Sequence, residues 1–207
     1  MDFFGDKGGQ VRRLYLAGVI SMILSVSALA QKPVEQHPVQ GAPQTPMLSA
    51  ADLAAKVPLA KPEDVKSLDA IMRAVYEVIS GPAGERDWKR FRSIFIPQAR
   101  FTQVEKGPDG VTYVISWSVD EFVRDASAIF SKEAFYENGL VNESQSFGNM
   151  TQVFSSYESR HASGEKPFQR GINSMQLLND GTRWWVISIA WDSERPDNPL
   201  PAKFAGK

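Results

Sequence analysis

The residues that could carry out acid–base or nucleophilic chemistry in this chain of 207 residues are few. There are two histidines, His37 and His161, and no cysteine, so disulfides, thiolate metal sites and a cysteine nucleophile are excluded. His161 ends a predicted strand, where a histidine is usually a surface residue; a role in proton transfer is the alternative. No spacing brings two histidines onto one face, so we expect no metal site and no cofactor.

Motifs that would indicate a known chemistry are absent from the sequence. There is no Gly-x-Ser-x-Gly elbow of a serine hydrolase, no glycine-rich phosphate loop and no dinucleotide-binding fingerprint. The formal net charge is −1 and no basic stripe stands out, which argues against nucleic acid as the main partner. The aromatic residues are therefore the next candidates for a functional site.

Aromatic side chains at regular spacing form a more informative pattern. Alternation along the stretch 183–192 separates a mixed set of side chains from a wholly apolar set, which is Trp185, Ile187, Ile189 and Trp191. We expect the apolar set to face a cavity, and simple core packing is the alternative for each aromatic. Four further aromatics could join this cavity, namely Tyr76, Trp88, Trp117 and Tyr157. Trp184 falls on the opposite face, where an exposed tryptophan would anchor a homodimer.

Polar residues on the predicted strands could point into the same cavity. These are Arg100, Glu158, Arg170, Asn173 and Asp192. A charge inside a pocket needs a partner, so Arg170 is expected to pair with Glu158 or Asp192; an ordinary cross-strand pair on the outer face is the alternative. The candidate ligand-pocket residues are therefore Tyr76, Trp88, Arg100, Trp117, Tyr157, Asn173 and Trp191, and no residue is assigned a catalytic role.

Three helices are predicted to help position these residues. The first begins at Pro62 and repeats apolar residues at three- and four-residue steps. The second carries Trp88 and is expected to end at Pro97. The third begins at Ser118, whose spacing to Glu121 is that of a capping box.

Six strands are predicted around these helices. Two form a hairpin about the turn 107–110, and four follow the third helix, the last two joined by a tight turn at 179–182. The predicted strands are Arg100–Glu105, Val111–Trp117, Ala134–Ser146, Asn149–His161, Phe168–Leu178 and Arg183–Asp192. This composition of helices and strands predicts an α+β domain.

The N-terminal residues have the pattern of an export signal. A basic start, an apolar run and the small-residue site Ala28-Leu29-Ala30 favour cleavage after residue 30; a retained membrane anchor is the alternative. Residues 31–61 are rich in proline and predict a flexible tether, 62–195 the folded domain, and 196–207 a loose tail. We therefore expect a periplasmic or secreted protein that has no membrane contact after cleavage.

The predicted element order of two helices, two strands, one helix and four strands resembles that of the nuclear-transport-factor-two-like superfamily. This superfamily includes SnoaL-like and ketosteroid-isomerase-like proteins, and the likeness lies in the stretches 87–101, 154–160, 170–177 and 180–187. The resemblance implies an α+β fold with a strongly curved, mostly antiparallel sheet wrapped around helices. It also implies a cone-shaped cavity, often in a homodimer.

The same resemblance allows this chain to be compared with the family's enzymes. Many of the family's enzymes carry an aspartate in a Pro-Asp-Ala stretch where this chain has Gln98, and no histidine–aspartate pair like that of scytalone dehydratase is present. We therefore expect the domain to bind a small apolar or amphipathic ligand in an aromatic-lined cone. One alternative is a lyase or isomerase that uses Tyr76 and a carboxylate; another is a dimerisation module with a filled cone. An open cone with a carboxylate beside Tyr76 is the arrangement expected of the enzyme.

Overall fold

The computed structural model of this chain describes residues 45–206. The predicted export signal, His37 and the first part of the predicted tether lie outside the described residues. Within the range that the structure describes, no helix has both the length and the apolar character needed to cross a membrane. The fold below is that of residues 46–206.

Six strands form a single mixed sheet. They are β1 (Phe95–Lys106), β2 (Thr112–Ser118), β3 (Tyr136–Phe147), β4 (Met150–Arg160), β5 (Gln169–Asn179) and β6 (Trp184–Ser193). Their order is β2-β1-β6-β5-β4-β3, and every neighbouring pair is antiparallel except β1 and β6. The predicted α+β class and mostly antiparallel sheet are confirmed. The sheet stays open, with β2 and β3 as its edges.

Five α-helices accompany the sheet. They are α1 (Ala50–Ala54), α2 (Pro62–Val65), α3 (Leu68–Glu77), α4 (Trp88–Ser93) and α5 (Val119–Phe130). The first predicted helix is divided into α2 and α3 because Ser67 starts a new helix: its hydroxyl accepts a hydrogen bond from the amide of Ala70. The predicted capping box at Ser118 and Glu121 is present at the start of α5.

Pro97 does not end a helix, contrary to the prediction. The helix α4 ends at Ser93, and Pro97 lies within β1. Its position falls between Phe95 and Arg100, where the pairing of β1 with β6 shifts its register. A proline lacks the amide hydrogen that a regular ladder needs, so this irregular stretch of strand accommodates it.

The packed part of the chain extends into both segments that were expected to be loose. Leu53 on α1 and Ala60 are buried, although both precede Pro62. Phe204, in a short 3-10 helix at Ala202–Phe204, is also buried. These three apolar side chains are removed from water, which favours packing over fraying at those points.

The face assignment of the first half of β6 is the reverse of the predicted one. The pairing of β5 with β6 shifts between Ser188 and Val186, so β6 contains one extra residue, Ile187. A one-residue bulge moves every side chain before it to the other face of the sheet. Trp184 and Val186 accordingly pack on the main core, on the same side as Ile189.

Trp185 is fully buried but lies outside that main core. Its indole lies 3.6 Å from the guanidinium of Arg183, and its Nε1 donates a 2.7 Å hydrogen bond to Asp180. Trp184 is therefore not an exposed anchor on the outer face. The expectation of a homodimer loses that argument, and it remains a prediction.

Candidate functional site

One face of the sheet, together with α3, α4 and α5, borders a cavity of about 360 Å³. Its walls are mainly aromatic and aliphatic: Val75, Ile79, Phe91, Phe95, Phe101, Trp117, Phe122, Phe130, Phe135, Ile189 and Trp191. Four of the lining residues, Ile129, Glu133, His161 and Phe168, are exposed, so the opening lies between the end of α5 and the turn from β4 to β5. The cone is therefore open and not filled by its own side chains.

Two tryptophans stack on each other in the cavity wall. The rings of Trp117 on β2 and Trp191 on β6 are nearly parallel, with an angle of 5° and centroids 5.9 Å apart. They flank the intervening strand β1, where Gln103 is the register partner of Trp191. The Nε1 of Trp117 donates a 2.9 Å hydrogen bond to Asp125 on α5, which fixes the orientation of its indole.

A carboxylate, Glu137 on β3, lies among these apolar walls. Its Oε2 accepts a 2.9 Å hydrogen bond from the hydroxyl of Ser159, and the Nδ2 of Asn173 lies 3.5 Å from its Oε1. Burial of the carboxyl group raises the pKa of Glu137 from its ordinary value of 4.5 to about 7, and these two hydrogen bonds only partly oppose the effect. Glu137 therefore changes its charge near neutral pH.

Asn173 links this carboxylate to Tyr76. Its Nδ2 also donates a 3.3 Å hydrogen bond to the Tyr76 hydroxyl, which is 2.5 Å from the hydroxyl of Ser155. Burial raises the pKa of Tyr76 well above its usual range, so this phenol stays protonated. Gly139 leaves room for the ring, because a Cβ at that position would lie 2.8 Å from it.

Two other polar side chains line the cavity near Glu137 and at the opening. Tyr157 is buried, with its hydroxyl 3.3 Å from that of Ser193, and burial raises its pKa to about 12. His161 stacks on Phe168 with ring centroids 4.3 Å apart, and its Nδ1 lies 3.0 Å from the carbonyl oxygen of Ala134. His161 thus belongs to the rim, which agrees with its expected surface position.

Five of the seven predicted pocket residues occupy one region. Trp117, Tyr157, Asn173 and Trp191 line the cavity, and Tyr76 is joined to it through Asn173. Trp88 and Arg100 do not line it. Trp88 packs on Phe91 and Phe130, behind the wall. Arg100 is exposed and 3.9 Å from Glu121, because alternation along β1 turns its neighbour Phe101 inward.

The predicted pairing of Arg170 with Glu158 or Asp192 is wrong. Arg170 lies 3.5 Å from Glu194, whereas Glu158 pairs with Arg160 on its own strand. Asp192 pairs with Arg195 at 2.6 Å. Glu158 and Arg170 are register partners on β4 and β5, but a nearer arginine takes up the carboxylate.

The sequence reasoning missed Glu137. It lies in the predicted strand 134–146, but this strand also carries the polar residues Asn138, Asn142, Glu143 and Gln145. Alternation therefore gives no contrast that would mark one inward-facing carboxylate. In the sequence, a carboxylate beside Tyr76 is only the condition that would favour the enzyme alternative, and it is assigned to no residue.

No protein-family model and no curated protein sequence matches this chain. Solved structures similar to it include an NTF-2-like protein of unknown function from Silicibacter pomeroyi, at 13% identity over 62% of this chain and 94% of that one, with a TM-score of 0.45. A candidate ketosteroid isomerase from Parabacteroides distasonis shows 12% identity over 62% and 88% of the two chains, with a TM-score of 0.44. A candidate dehydratase of the NTF2-like family from Streptomyces avermitilis shows 16% identity over 67% and 97%, with a TM-score of 0.46.

Proposed function

We propose that the cavity binds one small molecule that has an apolar, ring-containing body and a polar end. The observation that supports this most is an open cavity of about 360 Å³ with mainly aromatic walls and a cluster of hydrogen-bonded polar side chains at Glu137. Small-molecule sites are typically cavities of about 300–1,000 Å³ with mostly apolar walls and a few polar groups. The N-terminal export pattern supports a further proposal, that the protein binds this ligand in the periplasm or outside the cell.

The walls determine how such a ligand would lie. The stacked indoles of Trp117 and Trp191 offer aromatic surface for a ring. Glu137, Asn173 and Tyr157 offer hydrogen-bonding groups to its polar end. A ligand in this orientation covers apolar surface at one end and satisfies polar groups at the other.

Replacing Trp191 tests this function. The neutral probe 1-naphthylmethanol is expected to bind the wild-type protein, and Trp191→Ala is expected to weaken binding about 5- to 100-fold, because the variant loses a buried aromatic contact. Isothermal titration calorimetry measures the affinity. The control is Phe147→Ala, which removes an aromatic ring that is 85% exposed and away from the cavity; it is expected to leave the affinity unchanged.

The same variant separates binding from a purely structural role. If Trp191 only fills the core, Trp191→Ala lowers the free energy of unfolding by about 3–5 kcal/mol and the wild-type protein binds no probe. That result would contradict the proposed function and favour the dimerisation module. Thermal melting of Trp191→Ala, Phe147→Ala and the wild-type protein measures the loss of stability in each variant.

Proton transfer is the second candidate function, and one observation favours it. A carboxylate lies beside Tyr76 in an open cone, which is the arrangement expected of a lyase or isomerase. A pKa of about 7 places Glu137 near the value at which a group both accepts and donates protons efficiently at neutral pH. In this candidate function Glu137 is the general base and Asn173 helps to hold it in position, while Tyr76 orients Asn173.

A further inference from the structure

Glu137 has no cationic partner among the described residues. Three nearby arginines lie on β4, on β5 and just after β6, and each forms an ion pair with another carboxylate. The pairs are Arg160 with Glu158, Arg170 with Glu194 and Arg195 with Asp192. Of the residues at 45–206 that line the cavity, none is a lysine or an arginine. Asp125 and Glu133 line it in addition to Glu137. The cavity thus has an excess of negative groups.

One oxygen of this carboxylate has room for another hydrogen bond. Oε2 accepts a hydrogen bond from Ser159, but Oε1 has only Asn173 at 3.5 Å, the outer limit for a hydrogen bond. A carboxylate that is largely withdrawn from water and lacks a cation and a full set of donors is costly to keep charged. A donor that carries a positive charge would remove this cost.

His161 does not supply that charge. It lines the cavity, but it is not within ion-pair distance of Glu137 in the described part of the chain. Its ring is held on Phe168 at the rim, with Nδ1 next to the carbonyl oxygen of Ala134. Arg73, which borders a second recess on the other side of Glu137, pairs with Glu77. A cation that meets Glu137 inside the cavity would therefore have to belong to a ligand.

We propose that the ligand of the cavity is a hydrophobic amine, whose ammonium group donates to Glu137 while its ring lies against Trp117 and Trp191. This proposal rests on the proposed function and specifies the chemical class of the ligand. The faces of the two indoles attract a cation as well as a ring. Asp125 is paired with Arg124 at 2.7 Å, so Glu137 and Glu133 are the lining carboxylates that repel a ligand with a carboxylate of its own.

Three ligands with the same ring system test this inference: 1-naphthylmethylamine, 1-naphthylmethanol and 1-naphthoic acid, each titrated calorimetrically at neutral pH. The amine is expected to bind about 10- to 100-fold more tightly than the alcohol, because its hydrogen bond to Glu137 is charge-assisted. The acid is expected to bind most weakly. The proposal is overturned if the amine and the alcohol bind equally well; the function itself is overturned if none of the three binds.

The variant Glu137→Gln tests whether Glu137 is the group that makes the amine bind more tightly than the alcohol. This substitution keeps the shape of the side chain, and we expect it to abolish the difference in affinity between the amine and the alcohol. The alcohol should bind as it does to the wild-type protein, which also shows that the cavity is intact. The matched control is Glu143→Gln on the same strand, where the carboxylate pairs with Lys203 at 2.6 Å outside the cavity; it should keep the advantage. An amine that keeps its advantage in Glu137→Gln overturns the proposal.

Discussion

Glu137→Gln is expected to reduce the rate of elimination of 5-nitrobenzisoxazole by about 10²- to 10⁴-fold, the usual contribution of a positioned general base. In this reaction a base removes the proton from the ring carbon, the nitrogen–oxygen bond breaks, and the oxygen leaves as a phenolate. The planar substrate is expected to lie against Trp117 and Trp191, and burial raises the pKa of the Glu137 carboxyl to about 7. The absorbance of the phenolate measures the rate.

The pH dependence of this reaction checks the identity of the base. Since only the ionised carboxylate accepts the proton, the wild-type rate should rise with pH through about 7, the pKa of Glu137. The control Glu143→Gln is expected to keep both the rate and the profile. A wild-type rate no greater than that of acetate, or an equal rate in Glu137→Gln, would rule out the second candidate function.

The free energy of unfolding is expected to change between about pH 4.5 and pH 8 because Glu137 ionises in this range. The pKa of this carboxyl group is higher in the folded protein, about 7, than its ordinary value of 4.5. The folded state therefore holds the proton more tightly, and this stabilisation is complete below pH 4.5 and is lost as the pH rises through 7. A pKa difference of this size corresponds to about 3 kcal/mol.

Urea unfolding at several pH values measures this effect. The free energy of unfolding of the wild-type protein, relative to that of Glu137→Gln, should fall by about 3 kcal/mol from pH 4.5 to 8, because glutamine does not ionise. Glu143→Gln, which alters an exposed ion pair, should follow the wild-type curve. A constant difference between wild type and Glu137→Gln would contradict the burial of this carboxylate.

Local sequence signals predicted the elements well where one interaction decides the structure. The capping box at Ser118 and Glu121 and the tight turn with Gly181 at positive φ are both present. Alternation correctly placed Ile189 and Trp191 on the cavity side. In each case the residue type itself determines the backbone conformation or the buried face.

Features that depend on pairing between distant segments could not be predicted. The bulge at Ile187, which reverses the faces of Trp184 and Trp185, arises from the register of β6 on β5 and leaves no mark in the sequence of β6. Glu137 joins the site through contacts with Ser159 and Asn173, which lie on two other strands. Such long-range contacts cannot be read from the sequence of one strand.

The central claim is that a small molecule enters the cone and lies against Trp117 and Trp191. The most direct measurement follows the indole ¹H–¹⁵N signals of the five tryptophans during a titration with 1-naphthylmethylamine. The signals of Trp117 and Trp191 should shift together with increasing ligand, whereas that of Trp185, whose Nε1 is held by Asp180 outside the main core, should not. Unchanged signals of Trp117 and Trp191 at saturating ligand would contradict the claim.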